Sequence, residues 1–324
     1  MKSDIVALLR AMVFVLGFCC GGATWAVAAR PDIWFAPTDN ITQHGKDLPQ
    51  LFDDPDSWPY GASQISVLSF PARYLLLAPA AEVRRQLAWI RAKGIKLAVQ
   101  LPALPVNKRV CGNGIEGMTW PGEAAHSAKA LRALGAEVDF FALDLPMTNG
   151  HISKRAQACR LSLLETAARL ASAVRELRRV YPDVRIVDLE VPTGIPLSEW
   201  TSTLAAWLNA YRAASGEDFY GLTMDAWWKF EWREAAKATA SILSARGIRT
   251  GIYIDAVEGN TVAARGWIRA ARRNACELRA LSTAIDYVVI ANWMDMNVHN
   301  APESDPNTLT GLLAWFARPG GCSS

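Results

Sequence analysis

The feature that most constrains the fold is a repeated order of short apolar segments and longer amphipathic segments along the chain. The apolar segments fit buried strands, and the amphipathic ones repeat apolar residues at helical spacing. In residues 80–92, for example, Val83, Leu87 and Ile90 share one helix face. The predicted strands are 32–37, 64–70, 95–101, 138–145, 184–192, 219–225, 250–255 and 285–293. The predicted helices are 80–92, 122–134, 159–181, 198–214, 232–246, 263–281 and 308–316.

This order predicts a parallel sheet with helices between its strands. Several helices end at a glycine that can cap them, among them Gly94, Gly135 and Gly247, and a strand follows after a short loop. Eight such strands in about 290 residues suit a closed barrel, since an open doubly wound sheet would carry a G-x-G-x-x-G turn after its first strand. No linker or internal repeat divides the chain. We therefore predict α/β architecture with one (β/α)8 TIM barrel over residues 29–324.

The N-terminal segment has the pattern of a secretory signal peptide. Lys2 and Arg10 precede an apolar run over residues 11–23, and Ala26-Val27-Ala28 forms a small-x-small cleavage site. The apolar run is shorter than the roughly 20 residues of a membrane span. We predict a signal peptide over residues 1–28 and an exported, periplasmic or extracellular bacterial protein with no membrane span in the mature chain. An uncleaved anchor is the alternative.

Four cysteines follow the predicted signal peptide, and an even number in an exported chain predicts disulfides. Of the three possible pairings we favour Cys111 with Cys159, which joins neighbouring loops. Cys276 with Cys322 would then tie the C-terminal tail to a late helix. No C-x-x-C pair is present, so a cysteine metal site is not predicted.

Polar residues recur at the ends of the predicted strands. Barrel enzymes carry their active sites at the carboxyl ends of the strands, and alternate residues of a strand face the interior. The alternation places one or two polar or aromatic residues at the top of most strands. Those expected to face the interior are Gln100, Asp144, Asp188, Glu190, Asp225, Tyr253, Asp255 and Trp293.

Acids gathered at a barrel mouth are typical of glycoside hydrolysis, which needs one protonated carboxyl and one ionised carboxyl. We expect Glu190 to donate the proton, because Asp188 beside it would raise its pKa, and Asp255 or Asp144 to be the ionised partner. Asp225 is the fourth catalytic candidate. Residues expected to bind the sugar are Trp227, Trp228, Trp293, Gln100, His151, Asp188 and Tyr253. The alternative is that these acids are structural groups paired with Arg or Tyr.

Other functions find less support. The formal net charge of +3 does not favour nucleic-acid binding. No G-x-S-x-G elbow predicts a serine esterase, and His151 and His299 lack the spacing of a metal site. We predict no metal and no cofactor, a carbohydrate as the partner, and leave the oligomeric state open.

Several segments resemble a family of exported bacterial glycoside-hydrolase-like TIM-barrel proteins of poorly defined activity. They are residues 111–117 (CGNGIEG), 144–151 (DLPMTNGH), 188–192 (DLEVP), and the tail from Asn292-Trp293 through residues 301–310 (APESDPNTLT). The resemblance spans most of the mature chain and implies the barrel and a carbohydrate context. A looser similarity to chitinase-like barrels, at Met224-Asp225 and Trp293, lacks the D-x-x-D-x-D-x-E run.

One departure from the family separates two hypotheses. Similar chains are expected to have Asp-Glu-Pro after the fourth strand, whereas this chain has Asp144-Leu145-Pro146. The first hypothesis is an exported glycoside hydrolase acting on a polysaccharide or oligosaccharide. The alternative is a non-catalytic carbohydrate-binding barrel that has lost a catalytic acid at Leu145. A third hypothesis, an isomerase or lyase acting on a free sugar, would require a divalent metal.

Overall fold

The structure is a computed structural model that describes residues 30–38, 47–192, 195–228, 231–256, 264–292 and 298–322. The predicted signal peptide, residues 1–28, and the predicted sugar-binding residue Trp293 lie outside the described residues. Among the described residues, no helix combines the length and the apolar character needed to cross a membrane.

Eight parallel strands close into one barrel, which confirms the predicted (β/α)8 architecture. Each strand pairs with its neighbour along the chain, and the last strand pairs with the first through Asp32 opposite Tyr287. The strands are β1 (Asp32–Ala36), β2 (Ile65–Pro71), β3 (Lys96–Leu101), β4 (Phe140–Asp144), β5 (Arg185–Glu190), β6 (Gly221–Met224), β7 (Arg249–Ile254) and β8 (Tyr287–Ala291).

Helices fill the connections between strands. They are α1 (Gln50–Asp53), α2 (Pro59–Gln64), α3 (Ala72–Leu77), α4 (Ala80–Ala92), α5 (Glu123–Ala133), α6 (Leu163–Val180), α7 (Leu197–Ser215), α8 (Trp232–Ser244), α9 (Ala264–Arg279) and α10 (Leu309–Ala317). Pro55–Ser57 forms a 3₁₀ turn and Thr148–Ile152 a π-helical turn. Helix α6 begins four residues later than predicted, because the Ser162 hydroxyl accepts a hydrogen bond from the Glu165 amide and caps it there.

Aromatic rings fill the lower part of the barrel interior. Trp34 on β1 stacks on Tyr287 of β8, with ring centroids 4.6 Å apart, and also contacts Phe140 of β4. Gly251 on β7 is required here, because a Cβ atom at that position would lie 2.2 Å from the Tyr287 ring. The packed rings fill the barrel interior, so a ligand can bind only at the end of the barrel formed by the loops after the strands.

Most of the large aromatic residues pack between the sheet and the surrounding helices. Trp58, Trp200, Trp207, Trp232 and Trp267 are fully buried in this outer layer. Their indole N–H groups have polar partners in several cases. The Trp200 indole, for example, donates to the Thr239 hydroxyl at 2.8 Å. Burial of aromatic side chains supplies much of the apolar area that stabilises the barrel.

The cysteines form the two predicted pairs. Cys111 and Cys159 are bonded across the loops that follow β3 and β4, with Cα atoms 5.0 Å apart. Cys276 on α9 is bonded to Cys322 in the C-terminal tail, with Cα atoms 5.4 Å apart. The first pair fastens together two loops on the face of the barrel where the strands end.

Candidate active site at the carboxyl ends of the strands

Three acids lie on the interior side at the upper end of the barrel. Asp144 ends β4, Asp225 follows β6 and Asp255 follows β7. Two residues earlier on β4 and β7, Ala142 and Tyr253 belong to the interior core, and on β6 the Thr223 hydroxyl lies 2.8 Å from the hydroxyl of the interior residue Tyr287. The predicted facing is therefore correct for β4, β6 and β7. Asp144 and Asp225 are partly exposed, whereas Asp255 is 1% exposed.

Strand β5 is the exception, and the expectation that Asp188 and Glu190 face the interior is wrong. Val187 and Leu189 fill the interior at this strand. Asp188 instead lies on the outer face, where its carboxylate accepts a 2.8 Å hydrogen bond from the indole of Trp207 on α7. The two acids lie on the outer face of β5 because hydrogen-bond donors are available there, and buried polar groups require such partners.

Glu190 is a buried anchor for the turn that follows β4. Its Oε1 atom accepts from the Met147 amide at 2.6 Å, and its Oε2 atom accepts from the amide and the hydroxyl of Thr148 at 2.9 and 2.6 Å. The side chain is completely buried. Burial raises the pKa of Glu190 to about 7, while the bonds from Thr148 and Met147 act against that rise. Both oxygens of this carboxyl are thus engaged with the protein itself.

Asp188 is equally buried beside Glu190. Burial raises its pKa well above the ordinary value, and the charge of Glu190 raises it further, while the bond from Trp207 lowers it. This pair is separated from the barrel mouth by the β5 backbone. Asp188 and Glu190 are therefore excluded from the group of residues that face the barrel interior.

Tyr253 lies among the three interior acids. Burial raises its pKa well above the ordinary value, and the next largest contributions come from the charges of Asp144 and Asp225, with Asp255 adding to them. Tyr253 belongs to the interior core and lies on β7, two residues before Asp255. The charges of the three carboxyls therefore act on a phenol inside the barrel.

Asp144 combines partial exposure with a raised pKa. Gln100 on β3 donates a hydrogen bond from its side-chain amide to Oδ1 of Asp144. Burial, followed by the charge of Glu116, raises the pKa of Asp144 to about 7, while Gln100 and Arg73 lower it. A carboxyl with this pKa is partly protonated near neutral pH and can donate a proton.

Asp225 and Asp255 form a second group in the cluster. Asp225 accepts a 3.2 Å hydrogen bond from the Trp227 indole, and burial raises its pKa to about 7. Asp255 accepts a 2.6 Å bond from the Trp228 indole, and its pKa is raised well above the ordinary value by burial and then by Asp225. Two neighbouring acids cannot both ionise easily, so the pair retains a proton near neutral pH.

The expected tryptophans differ in their exposure. Trp227 is 39% exposed, so part of its ring is open to solvent. Trp228 is 7% exposed and packs edge-on against Trp232 at 4.7 Å, so it orients Asp255 and leaves no open ring face. The sequence interpretation missed Trp120, which is 41% exposed on the loop after β3. His151, on the loop after β4, is exposed, with Nδ1 2.7 Å from the Leu161 carbonyl oxygen.

Glu116 is the acid that the sequence interpretation missed. It is exposed on the loop between β3 and α5, and its charge contributes to the raised pKa values of both Asp144 and Asp225. Asn149 donates a 3.0 Å side-chain bond to its carbonyl oxygen, which holds the loop against the turn after β4. In the sequence, Glu116 lies within residues 111–117 (CGNGIEG), one of the segments that resemble the barrel family.

Gly117 allows this loop to approach Asp144. Its φ is 76°, and a Cβ atom there would lie 1.9 Å from the Asp144 carbonyl oxygen. We expect Gly117→Ala to displace the loop and to lower the free energy of unfolding by about 3 kcal/mol, since it adds a backbone clash to a left-handed conformation. Gly114→Ala is the matched control: its φ is 70°, nothing lies within 4 Å of the added atom, and about 1 kcal/mol is expected. Equal losses by denaturant unfolding would contradict this account of the loop.

No group of three or more His, Cys, Asp or Glu side chains in the described ranges is arranged to hold a metal ion. The side chain of His299 is 65% exposed, and its Nδ1 atom lies 3.7 Å from an Asp47 carboxylate oxygen.

Comparisons with known proteins support the fold and give no closer relationship. The chain matches no protein-family model and no curated protein sequence. The structure is similar to a fungal β-1,4-galactanase, with a TM-score of 0.53 and 11% identity over 88% of this chain and 99% of that one. It is also similar to xylanase 10C of Cellvibrio japonicus, with a TM-score of 0.51 and 10% identity over 90% and 68%. At these identities the similarity shows the shared barrel fold alone.

Proposed function

We propose that this protein is an exported glycoside hydrolase that acts on a polysaccharide or oligosaccharide. The observation that carries the proposal is that Asp144, Asp225 and Asp255 lie on the interior side of the barrel at the carboxyl ends of β4, β6 and β7. The chemistry needs one protonated and one ionised carboxyl at the same site, and this cluster supplies both near neutral pH. Export rests on the signal-peptide pattern of residues 1–28 and on the two disulfides.

In this proposal Asp144 takes the role that the sequence interpretation gave to Glu190. Asp144 is partly exposed, and Gln100 orients its carboxyl, so its proton can reach the oxygen of the leaving sugar. Asp225, stabilised by the Trp227 indole, is the ionised carboxylate that attacks the anomeric carbon or activates a water. Asp255 is buried, and burial followed by the charge of Asp225 raises its pKa. Glu190 positions the turn after Asp144.

Two further observations favour a carbohydrate as the substrate. The similar structures named above are a galactanase and a xylanase, and both act on polysaccharides by their names. Trp120 and Trp227 expose aromatic surface on loops of the same face of the barrel, and sugar rings pack well on such surfaces.

The alternative of a non-catalytic binding barrel is favoured by one observation. Leu145 occupies the position where similar chains are expected to have an acid, and its φ of 45° is in the left-handed region that a branched side chain seldom adopts. If catalysis depends on an acid at that position, Asp144 and Asp225 would serve only to hydrogen-bond sugar hydroxyls. A single test of sugar release and sugar binding distinguishes the hydrolase from the binding barrel.

The test is release of reducing ends from a panel of plant glycans and bacterial exopolysaccharides. We expect wild-type protein to release sugar from at least one polymer, and the double variant Asp144→Asn with Asp225→Asn to show less than about 1% of that rate. Asp183→Asn, an exposed acid at the opposite end of the barrel, is the matched control and should retain full activity. Binding without release by wild-type protein would favour the non-catalytic alternative, and release that the double variant retains would refute the proposed site.

A further inference from the structure

The loops that follow β3 and β4 carry an excess of positive charge. Over residues 102–122 and 145–162 there are five Lys and Arg residues and a single acid, Glu116. We call the five cations the rim cations: Lys108, Arg109, Lys154, Arg155 and Arg160. Four of them are exposed and Lys108 is half-buried. The loop after β4 contains three of them and no acid at all.

The rim cations form one surface, because their two loops are fastened together. The Cys111–Cys159 disulfide joins the loops, and the Gly112 amide donates to the Gln157 carbonyl oxygen at 2.6 Å. Desolvation of its carboxyl raises the pKa of Glu116, and the charge of Arg155 acts against that rise. Gly117, the next residue along the loop, lies against the Asp144 carbonyl oxygen. The loops that carry the rim cations therefore extend to the proposed catalytic cluster.

These cations differ from many of the arginines on the helices. Arg91, Arg169 and Arg233 lie within 3.0 Å of a carboxylate that neutralises them. No ion pair among the described residues includes a rim cation. Cations that are not held in a close ion pair attract anions from solution and can form charge-assisted hydrogen bonds with them.

We propose that the substrate is an anionic polysaccharide, whose carboxylate or sulfate groups bind the rim cations while one of its linkages lies at Asp144. The inference rests on the proposed function, because it assigns a substrate class to the same site. Repeating anionic groups suit a surface that carries several cations, since each sugar unit presents its charge at a regular interval. Arg binds a planar carboxylate or a sulfate through paired N–H groups. On the same loops, Val110 and Trp120 offer exposed apolar surface for the sugar rings themselves.

Binding to three polymers tests the proposal without requiring turnover: polygalacturonate, the same polymer with its carboxyls reduced to alcohols, and a sulfated galactan. We expect at least one charged polymer to bind about tenfold more tightly than the reduced polymer, with the difference lost as salt is raised. Preference for polygalacturonate would identify carboxylate as the recognised group, and preference for the galactan would identify sulfate. Equal binding of all three, or binding of the reduced polymer alone, would overturn the proposal.

Two triple variants with the same change of net charge locate the effect. Arg109→Gln, Lys154→Gln and Arg155→Gln together should weaken binding of the charged polymer about tenfold and reduce its salt dependence. Arg84→Gln, Lys129→Gln and Arg179→Gln remove three exposed cations from α4, α5 and α6 and should change neither. Equal weakening by the two triple variants would show a general charge effect and overturn the assignment to the rim.

The outcome for the substrate class is separable from the outcome for catalysis. Selective binding of a charged polymer that is never cleaved would leave the rim assignment standing and refute the glycosidase. Cleavage of a neutral glycan, together with no preference for charged polymers, would support the glycosidase and refute the rim assignment.

Discussion

Replacing Glu190 with alanine is expected to lower the free energy of unfolding by about 4 kcal/mol. The substitution removes the acceptor for two backbone amides and one hydroxyl, at Met147 and Thr148, and the site is fully buried. Each buried donor left without a partner costs about 1–3 kcal/mol, and the vacated volume adds to that. Denaturant unfolding would measure the loss. Glu199→Ala, an exposed acid on α7, is the control and should stay within about 0.5 kcal/mol of wild type.

The conservative change Glu190→Gln distinguishes an anchor from a proton donor. Glutamine keeps one oxygen acceptor and turns an N–H group towards a donor, so we expect partial destabilisation. The folded fraction of the Glu190→Gln variant should have a turnover rate within about fivefold of wild type, because Asp144 is still present. A Gln variant with wild-type stability and turnover reduced a hundredfold would restore Glu190 as the catalytic acid.

The barrel could be predicted because each of its elements has a strong local pattern. The apolar strands and the helices that end at glycine recur in a regular order, and the signals do not depend on distant residues. The alternation of residues along most strands also predicted which side chains face the barrel interior. On β4, Phe140, Ala142 and Asp144 share the interior face, while Phe141 and Leu143 on the other face pack towards the helices. The helix boundary at Leu163 was missed by four residues because it depends on the Ser162 cap.

What the sequence could not supply was information about which residues meet across long distances. The two faces of β5 are equally compatible with burial as far as composition shows, and the choice depends on Trp207 and on the turn at Met147 and Thr148. Glu116 reaches the site only because Gly117 passes close to the Asp144 carbonyl oxygen. Contacts of this kind are properties of the folded chain, so local periodicity carries no sign of them.

The second large effect is expected at Asp144, where asparagine should reduce turnover of a natural glycosidic linkage by about a thousandfold. Asparagine has nearly the same shape and keeps the oxygen that accepts from Gln100, so the fold should be preserved. Only the proton that the leaving sugar requires is lost. The loss should therefore be much smaller on an aryl glycoside, whose leaving group departs without protonation. Asp225→Asn is the comparison: it removes the proposed ionised carboxylate, so both substrates should be affected alike.

The pH dependence of the same variant supplies an independent check. Asp144 acts in its protonated form, and its pKa is raised to about 7, so wild-type activity should fall as pH rises through about 7. The Asn variant has no proton to lose there, so its residual activity on the aryl glycoside should lack this alkaline decline. An alkaline limb that persists unchanged in the variant would mean that another group carries the proton. Asp255 would then be the next candidate, because burial raises its pKa well above the ordinary value and it follows Tyr253 by two residues on the interior side of β7.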